Sequence, residues 1–134
     1  MDTHSFTPQI CAGAVALLLT APASAHADEV PGYGFEAAAQ EITQLFWLAE
    51  TARACGWAED AEVAKFKDFS VRFLSAHLSR PHRLALVSLV TAPRYEFELR
   101  KVAGESVDQN CDSSRWRLGW ASYKAAADEH DSEY

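Results

Sequence analysis

The chain has 134 residues, with 12 Lys and Arg against 19 Asp and Glu, so its formal net charge is −7. This length allows one domain at most. Proteins that bind nucleic acids or anionic membrane surfaces concentrate positive charge, so the acidic balance argues against either as a main function.

The start of the chain has the layout of a secretory signal peptide. An apolar run occupies residues 10–20, and both Ala23-Ser24-Ala25 and Ala25-His26-Ala27 fit a small-x-small cleavage site. The run of about 11 residues is shorter than the roughly 20 that a permanent membrane helix needs. The usual Lys or Arg before the run is absent, and Asp2 stands there instead. We predict a signal peptide at residues 1–27, hence a periplasmic or secreted protein without membrane contact after cleavage.

The mature chain would comprise residues 28–134, with all 12 bases, 18 of the 19 acids and a net charge of −6. It keeps Cys55 and Cys111, because Cys11 belongs to the predicted signal peptide. Two cysteines in an exported chain indicate one disulfide. Neither has a second Cys or His at a zinc-ligand spacing, and no signature of a nucleophilic cysteine surrounds either. Closing a loop of about 57 residues would stabilise the fold by on the order of 4 kcal/mol.

The first two predicted elements are amphipathic helices. From Phe35 to Cys55, apolar residues recur at spacings of three and four, and Gly56 suits the position just past a helix end. The next helix extends from about Glu59 to about Leu78, with acids in its first turn and phenylalanines along one face.

The segment from Pro81 to Val102 has two interpretations. Pro81 and Pro93 each suit the first turn of a helix. Each helix would then have one apolar face, formed by Leu84, Val87 and Val90 in the first and by Tyr95, Leu99 and Val102, facing inward, in the second. Alternatively, residues 84–102 form a β-hairpin, because apolar and charged residues alternate from Tyr95 to Arg100. We favour helices, since an isolated two-stranded ribbon is only marginally stable.

The last predicted helix begins near Ser106 or Asp112 and ends near Ala127, before a frayed acidic tail from about residue 128. The disulfide would join the end of the first helix to the beginning of this last one. The whole pattern predicts a single all-α domain at residues 28–134, a bundle of four or five short helices stapled by Cys55–Cys111. An α+β fold with the β-hairpin is the alternative.

The most distinctive candidate surface is the sequence "RWRLGW", which contains Arg115, Trp116, Arg117 and Trp120. Trp and Arg dominate interface hot spots, so an exposed patch of this kind would bind a partner. In the other interpretation, both indoles pack against the first two helices and the arginines pair with acids.

Two histidines are candidates for a metal site or a catalytic base. His77 continues the phenylalanine face of the second helix, and His130 lies in the acidic tail. Their simpler interpretations are a histidine packed near a helix end and a solvated tail residue. We predict no catalytic residue, no metal site and no cofactor.

The order of "LAETARACGW", a Phe-rich amphipathic helix and a Cys that leads into an aromatic-bearing last helix resembles uncharacterised small exported helical proteins of proteobacteria. The resemblance covers residues 42–127 and implies no activity. In general form the chain also resembles periplasmic acid-stress chaperones, at the level of fold alone.

We therefore expect a non-enzymatic periplasmic accessory or binding protein of the inhibitor, chaperone or stress-factor type. Its partner would be a periplasmic protein or a glycan. The alternatives are a metal-binding module or small enzyme that uses His77 or His130, and a structural component of the envelope.

Overall fold

The computed structural model describes residues 33–134, and the predicted signal peptide at residues 1–27 lies outside them. The described elements are α1 (Phe35–Ala54), α2 (Asp60–Ser75), α3 (Arg80–Thr91), α4 (Pro93–Glu105), α5 (Val107–Asn110), α6 (Ser114–His130) and a 3-10 turn (Asp131–Glu133). No β-strand occurs in this part of the chain. The all-α prediction is confirmed, and the alternative β-hairpin at residues 84–102 is wrong.

Helix α1 ends where the sequence predicts it. Gly56 has a φ of 77°, a left-handed conformation that strains residues with a Cβ. The Gly56 amide donates to the Arg53 carbonyl at 3.1 Å, and the Trp57 amide donates to the Ala52 carbonyl at 2.8 Å. These two bonds form a Schellman motif, which satisfies carbonyls that the helix end leaves unpaired.

The core is built around α1, which packs against α2, α3, α4 and α6. Nearly every residue from Gln44 to Ala52 is buried, so neighbours enclose this half of α1 on most of its sides. Helix α2 contributes the phenylalanine face that its spacing predicts. Phe66 packs edge-on against Trp120 of α6 with ring centroids 5.0 Å apart, and Phe69 stacks on Phe73 at 5.5 Å.

Helices α3 and α4 form a hairpin at one side of this core. Pro81 and Pro93 lie in their first turns, where a missing amide hydrogen costs no helical bond. Ala92 joins the two helices in an extended conformation, with φ −67° and ψ 128°, as the residue before a proline prefers.

The predicted apolar faces of this hairpin are confirmed in part, since Val90 of α3 and Tyr95 of α4 pack against the core. In α3, Leu86 is fully buried, whereas Leu84 and Val87 face solvent. In α4, Leu99 is buried as predicted, but Val102 is 45% exposed. The reason lies in α3 itself, which carries apolar residues on nearly every side, so that its contacts with α1 and α4 select the buried face.

The acidic residues after Ala127 do not form a frayed tail. Helix α6 continues to His130, and the 3-10 turn follows. Arg72 of α2 donates to the Asp131 carboxylate at 2.7 Å and to the Tyr134 carbonyl at 2.8 Å. The Tyr134 ring packs edge-on against Phe73, with centroids 5.0 Å apart. These contacts with α2 hold the segment in place, so the prediction of a solvated tail is wrong.

Candidate functional site

The predicted disulfide is present and joins two distant parts of the chain. Cys55 follows the end of α1, and Cys111 follows α5 just before α6. Their sulfurs are bonded, and their Cα atoms are 5.3 Å apart. The bond therefore fixes the end of the central helix to the start of the last one, and both cysteines are only partly buried. Its role in this fold is covalent cross-linking.

The predicted Arg–Trp surface patch does not exist as an exposed patch. Trp116 and Trp120 are buried, while Arg115 and Arg117 lie on the surface. Trp116 packs edge-on against Trp47 of α1 with centroids 5.0 Å apart, and Trp120 packs against Phe66. The indoles serve as core residues because α6 lies against both α1 and α2. The four residues consequently do not form a common binding surface.

A buried carboxylate lies at the junction of the core and the hairpin. The Glu50 side chain is 1% exposed, and it forms ion pairs with Arg53 of α1 and Lys67 of α2. Arg100 of α4 also lies close, with its Nε 3.5 Å from Glu50 Oε1. Glu96 completes the cluster, 3.5 Å from the Lys67 ammonium and 3.2 Å from the Arg100 guanidinium. Lys67 additionally lies over the Phe46 ring at 5.1 Å.

Cations of this cluster surround the Glu50 carboxylate, which suits a structural role. Burial raises the pKa of Glu50, but hydrogen bonds and charge from Lys67 and Arg53 outweigh burial and leave the pKa below its ordinary value. Glu50 is therefore ionised at neutral pH and has its charge balanced by neighbours. A general base would need a free lone pair facing a substrate, whereas both oxygens of Glu50 are already bonded to cations.

A second carboxylate on α1 has the opposite shift. Burial raises the pKa of Glu41, and the nearby Tyr33 hydroxyl lowers it by a smaller amount. Without a cation beside it, Glu41 favours its neutral form more than an exposed Glu does. The two carboxylates on one helix thus differ in what compensates for their burial.

The two candidate histidines lie in different environments. His77 is fully buried and packs edge-on against Phe73, with ring centroids 5.8 Å apart. The His130 ring nitrogen Nδ1 lies 2.8 Å from the Glu133 carboxylate, one turn further along the chain. Within residues 33–134, no group of three or more His, Cys, Asp or Glu side chains is placed to hold a metal ion.

A groove between α2 and α6 has a volume of about 230 Å³. Phe66 and Phe69 form its floor, and charged side chains of both signs form its walls. Those charges already pair with each other: the Lys124 ammonium lies 2.8 Å from Asp128 and 3.6 Å from Glu62. A ligand would have to break these pairs to enter, so the groove is an unfavourable binding site.

Exposed apolar side chains are concentrated on the hairpin. Among the described residues, five large hydrophobic side chains are exposed, and four of them lie on α3 and α4: Leu84, Val87, Phe97 and Val102. The fifth, Leu118, lies alone on α6. The hairpin also carries Arg80 and Arg94, which are exposed and make no ion pair with any residue of the described range.

The Glu50 cluster as a whole was not predicted from the sequence. The spacing of Glu96 and Arg100 does predict the helical ion pair that the structure shows, and Glu50 pairs with Arg53 at a similar spacing. Their convergence on Lys67 depends on tertiary packing and has no local signal. The sequence predicts an apolar face of α3 that contains Leu84 and Val87. In the structure these two side chains face solvent, and Leu86 is the buried residue.

Comparison with known proteins gives no relative of this chain. No protein-family model matches it, and neither a curated protein nor a solved structure does. The helices within residues 33–134 were also compared with the requirements of a membrane span, and none has the necessary length and apolar character.

Proposed function

We propose that this chain is an exported accessory protein that acts by binding a partner protein, in the manner of an inhibitor, a chaperone or a stress factor. The observation that carries the proposal is the concentration of exposed apolar side chains on the α3–α4 hairpin. Interaction sites of proteins commonly present exposed apolar side chains with polar residues around them.

The covalent framework supports the export part of the proposal. Disulfides persist in oxidising compartments such as the periplasm and are rare in the cytosol. The Cys55–Cys111 bond is partly accessible, so a reducing compartment would open it. The signal-peptide pattern at residues 1–27 agrees with the same location.

The titratable groups favour binding over catalysis. The deeply buried carboxylate, Glu50, is fully engaged by cations, and the buried histidine, His77, packs inside the core. The α3–α4 hairpin instead exposes apolar side chains together with the arginines Arg80 and Arg94.

The export part is tested by fractionating cells that express the full chain and labelling free thiols without reductant. We expect the protein in the periplasmic fraction with neither cysteine labelled. Two reactive thiols in a cytosolic fraction would refute this part.

The binding part is tested by in-cell cross-linking of the tagged protein, followed by purification under native conditions. We expect one stoichiometric complex with a soluble protein. Sedimentation of all the protein with the envelope, with no soluble complex, would instead favour a structural envelope component and refute the proposal.

A further inference from the structure

The positive charge of this acidic protein is segregated around α3. Between Asp68 and Glu96 the sequence contains no acid but four arginines: Arg72, Arg80, Arg83 and Arg94. Arg72 is engaged with Asp68 and Asp131, and Arg83 donates to the Leu78 carbonyl at 2.7 Å. Arg80 and Arg94 are exposed and have no carboxylate of the described chain within ion-pair distance. The surface of α3 is thus basic in a chain of net charge −7.

Four exposed residues of α3 form a stripe along one side of the helix. Arg80, Leu84, Val87 and Thr91 are spaced by four, three and four residues, which aligns them along one side of a helix. Leu84 is 58% exposed and Val87 is 43% exposed, whereas Leu86 on the opposite side is fully buried. The Thr91 hydroxyl donates to the Val87 carbonyl at 2.7 Å, so it needs no external partner.

The shape of this stripe suits a second helix. Its C-terminal half carries only the short side chains of Val87, Ser88 and Thr91, which allow a partner backbone to approach closely. Helix α3 has 12 residues and is about 18 Å long, enough for three turns of contact. The apolar pair Leu84 and Val87 lies in the middle, between Arg80 at one end and Arg94 just beyond the other.

The charge of the stripe decides between possible occupants. Self-association through α3 would bring the arginines of two copies together, and α3 itself carries no acid to offset them. An anionic bilayer would attract Arg80 and Arg83, but it would repel the net charge of the whole chain and the neighbouring Glu96 and Glu98. A protein segment that presents carboxylates only opposite the arginines avoids both conflicts.

We infer that the solvent face of α3, the stripe from Arg80 to Thr91, binds an amphipathic α-helix of the partner that carries carboxylates beside an apolar centre. This inference rests on the proposed function, because it names the surface and the chemistry of that binding event. Carboxylates of the partner pair with Arg80 and Arg94, and its apolar residues cover Leu84 and Val87.

The first test is an NMR titration of the exported protein with its disulfide intact. The probes are a 14-residue helical peptide with Leu along one face and flanking Glu, and the same peptide with Lys in place of Glu. We expect the Glu peptide alone to shift the backbone amides of α3, with at least tenfold weaker binding in 0.5 M NaCl because salt screens exposed charges. Equal binding of the Lys peptide, or shifts confined to the α2–α6 groove, would overturn the inference.

Matched variants distinguish specific binding at α3 from non-specific binding to other exposed surfaces. Leu84→Asp and Arg80→Glu should each weaken peptide binding at least tenfold. Leu118→Asp and Arg117→Glu, on the exposed side of α6, should leave it unchanged. All four positions are exposed, and circular dichroism melts check that each variant folds. Equal losses in both pairs would refute the assignment to α3.

Two further measurements test the rejected occupants and the link to function. In a flotation assay, the protein is mixed with phosphatidylglycerol vesicles. If it floats with the vesicles and does not bind the Glu peptide, the inference is overturned in favour of a bilayer. A dimer in sedimentation that Leu84→Asp dissociates would overturn it in favour of self-association. If the in-cell complex survives Arg80→Glu and Leu84→Asp, partner binding stands and the α3 assignment fails. If the unaltered protein forms no complex, the proposed function itself fails.

Discussion

Helices α1 and α3 are both rich in apolar residues, yet they bury very different shares of them. Helix α1 has ten buried residues among its 20, and α3 has one, Leu86, among its 12. The difference follows from position, because α1 is enclosed by four helices whereas α3 contacts its neighbours with one side. The apolar content of a helix therefore does not determine how many of its residues are buried. Its position in the bundle determines whether other helices of the same chain cover its apolar side chains.

The largest expected effect concerns the bond that closes the chain around both regions. The double variant Cys55→Ser/Cys111→Ser should lower the free energy of unfolding by about 4 kcal/mol, because the unfolded chain regains the entropy of a large loop. Urea unfolding of the variant and of the reduced parent protein measures this loss, and the two should agree. A loss below about 1 kcal/mol would mean that packing alone holds α1 to α6.

The comparison itself is tested by a matched pair of leucines. Leu74→Ala in α2 should cost about 3 kcal/mol, since its side chain is 1% exposed and its removal leaves a cavity. Leu84→Ala in α3 should change stability by no more than about 0.5 kcal/mol, since its side chain is already in solvent. Urea midpoints at a common slope measure both effects. Similar costs at the two positions would show that α3 is as enclosed as the core.

The junction between the two regions is tested at Glu50. Glu50→Gln should lower the free energy of unfolding by about 2–3 kcal/mol at pH 7, because Arg53 and Lys67 lose a buried counter-charge. This cost is lower than for an isolated buried pair, since Glu96 remains as a partner for Lys67 and Asp60 lies 3.7 Å from Arg53. The control is Glu98→Gln, an exposed change on α4 that should have no measurable effect.

The effect at Glu50 depends on pH with a definite sign. Because the folded-state pKa of Glu50 is lowered, its contribution is fully present above the unfolded-state pKa of about 4.3 and is lost as pH falls through the folded-state value. The stability difference between parent and Glu50→Gln should therefore shrink below about pH 4.3. Glu41→Gln should instead raise the free energy of unfolding at neutral pH, because the raised pKa of Glu41 makes its ionisation unfavourable to folding. This gain should disappear as the pH falls and Glu41 becomes protonated in the parent protein. A constant difference across pH would contradict both assignments.

Much of the fold follows from the sequence, for reasons that particular residues make clear. Gly56 ends α1, and Pro81 and Pro93 begin α3 and α4, because each acts through its own backbone. The disulfide follows from having only two cysteines, Cys55 and Cys111, after the predicted signal peptide. The inward face of α3 could not be predicted, since Leu84, Leu86, Val87, Leu89 and Val90 cover most of its circumference. Only tertiary contacts select Leu86.

The candidate surfaces were less predictable than the fold. The Trp116 and Trp120 spacing is compatible with an exposed patch and with a packed core, and the rings of Trp47 and Phe66 decide in favour of the core. Acidic residues near the C-terminal end of the sequence indicate solvation, but Arg72, far away in the sequence, holds Asp131 against α2.

The smallest expected effect concerns that last contact. Arg72→Ala should lower the free energy of unfolding by about 1 kcal/mol, because it removes charge-assisted hydrogen bonds to Asp131 and Tyr134. The loss is small because the Arg72 side chain is about one third exposed to solvent. Arg94→Ala, on the hairpin, should leave stability unchanged. Amide exchange in residues 128–134 should quicken in Arg72→Ala alone, and an unchanged exchange rate would mean that the Tyr134 ring holds the segment without help.

The disulfide also determines what limited digestion can reveal. Ala92, the single extended residue between α3 and α4, lies inside the ring of chain that Cys55 and Cys111 close. A protease cut at this point leaves two pieces tethered through sulfur, so the nicked molecule migrates as one species on a denaturing gel. The pieces separate only after a reducing agent is added.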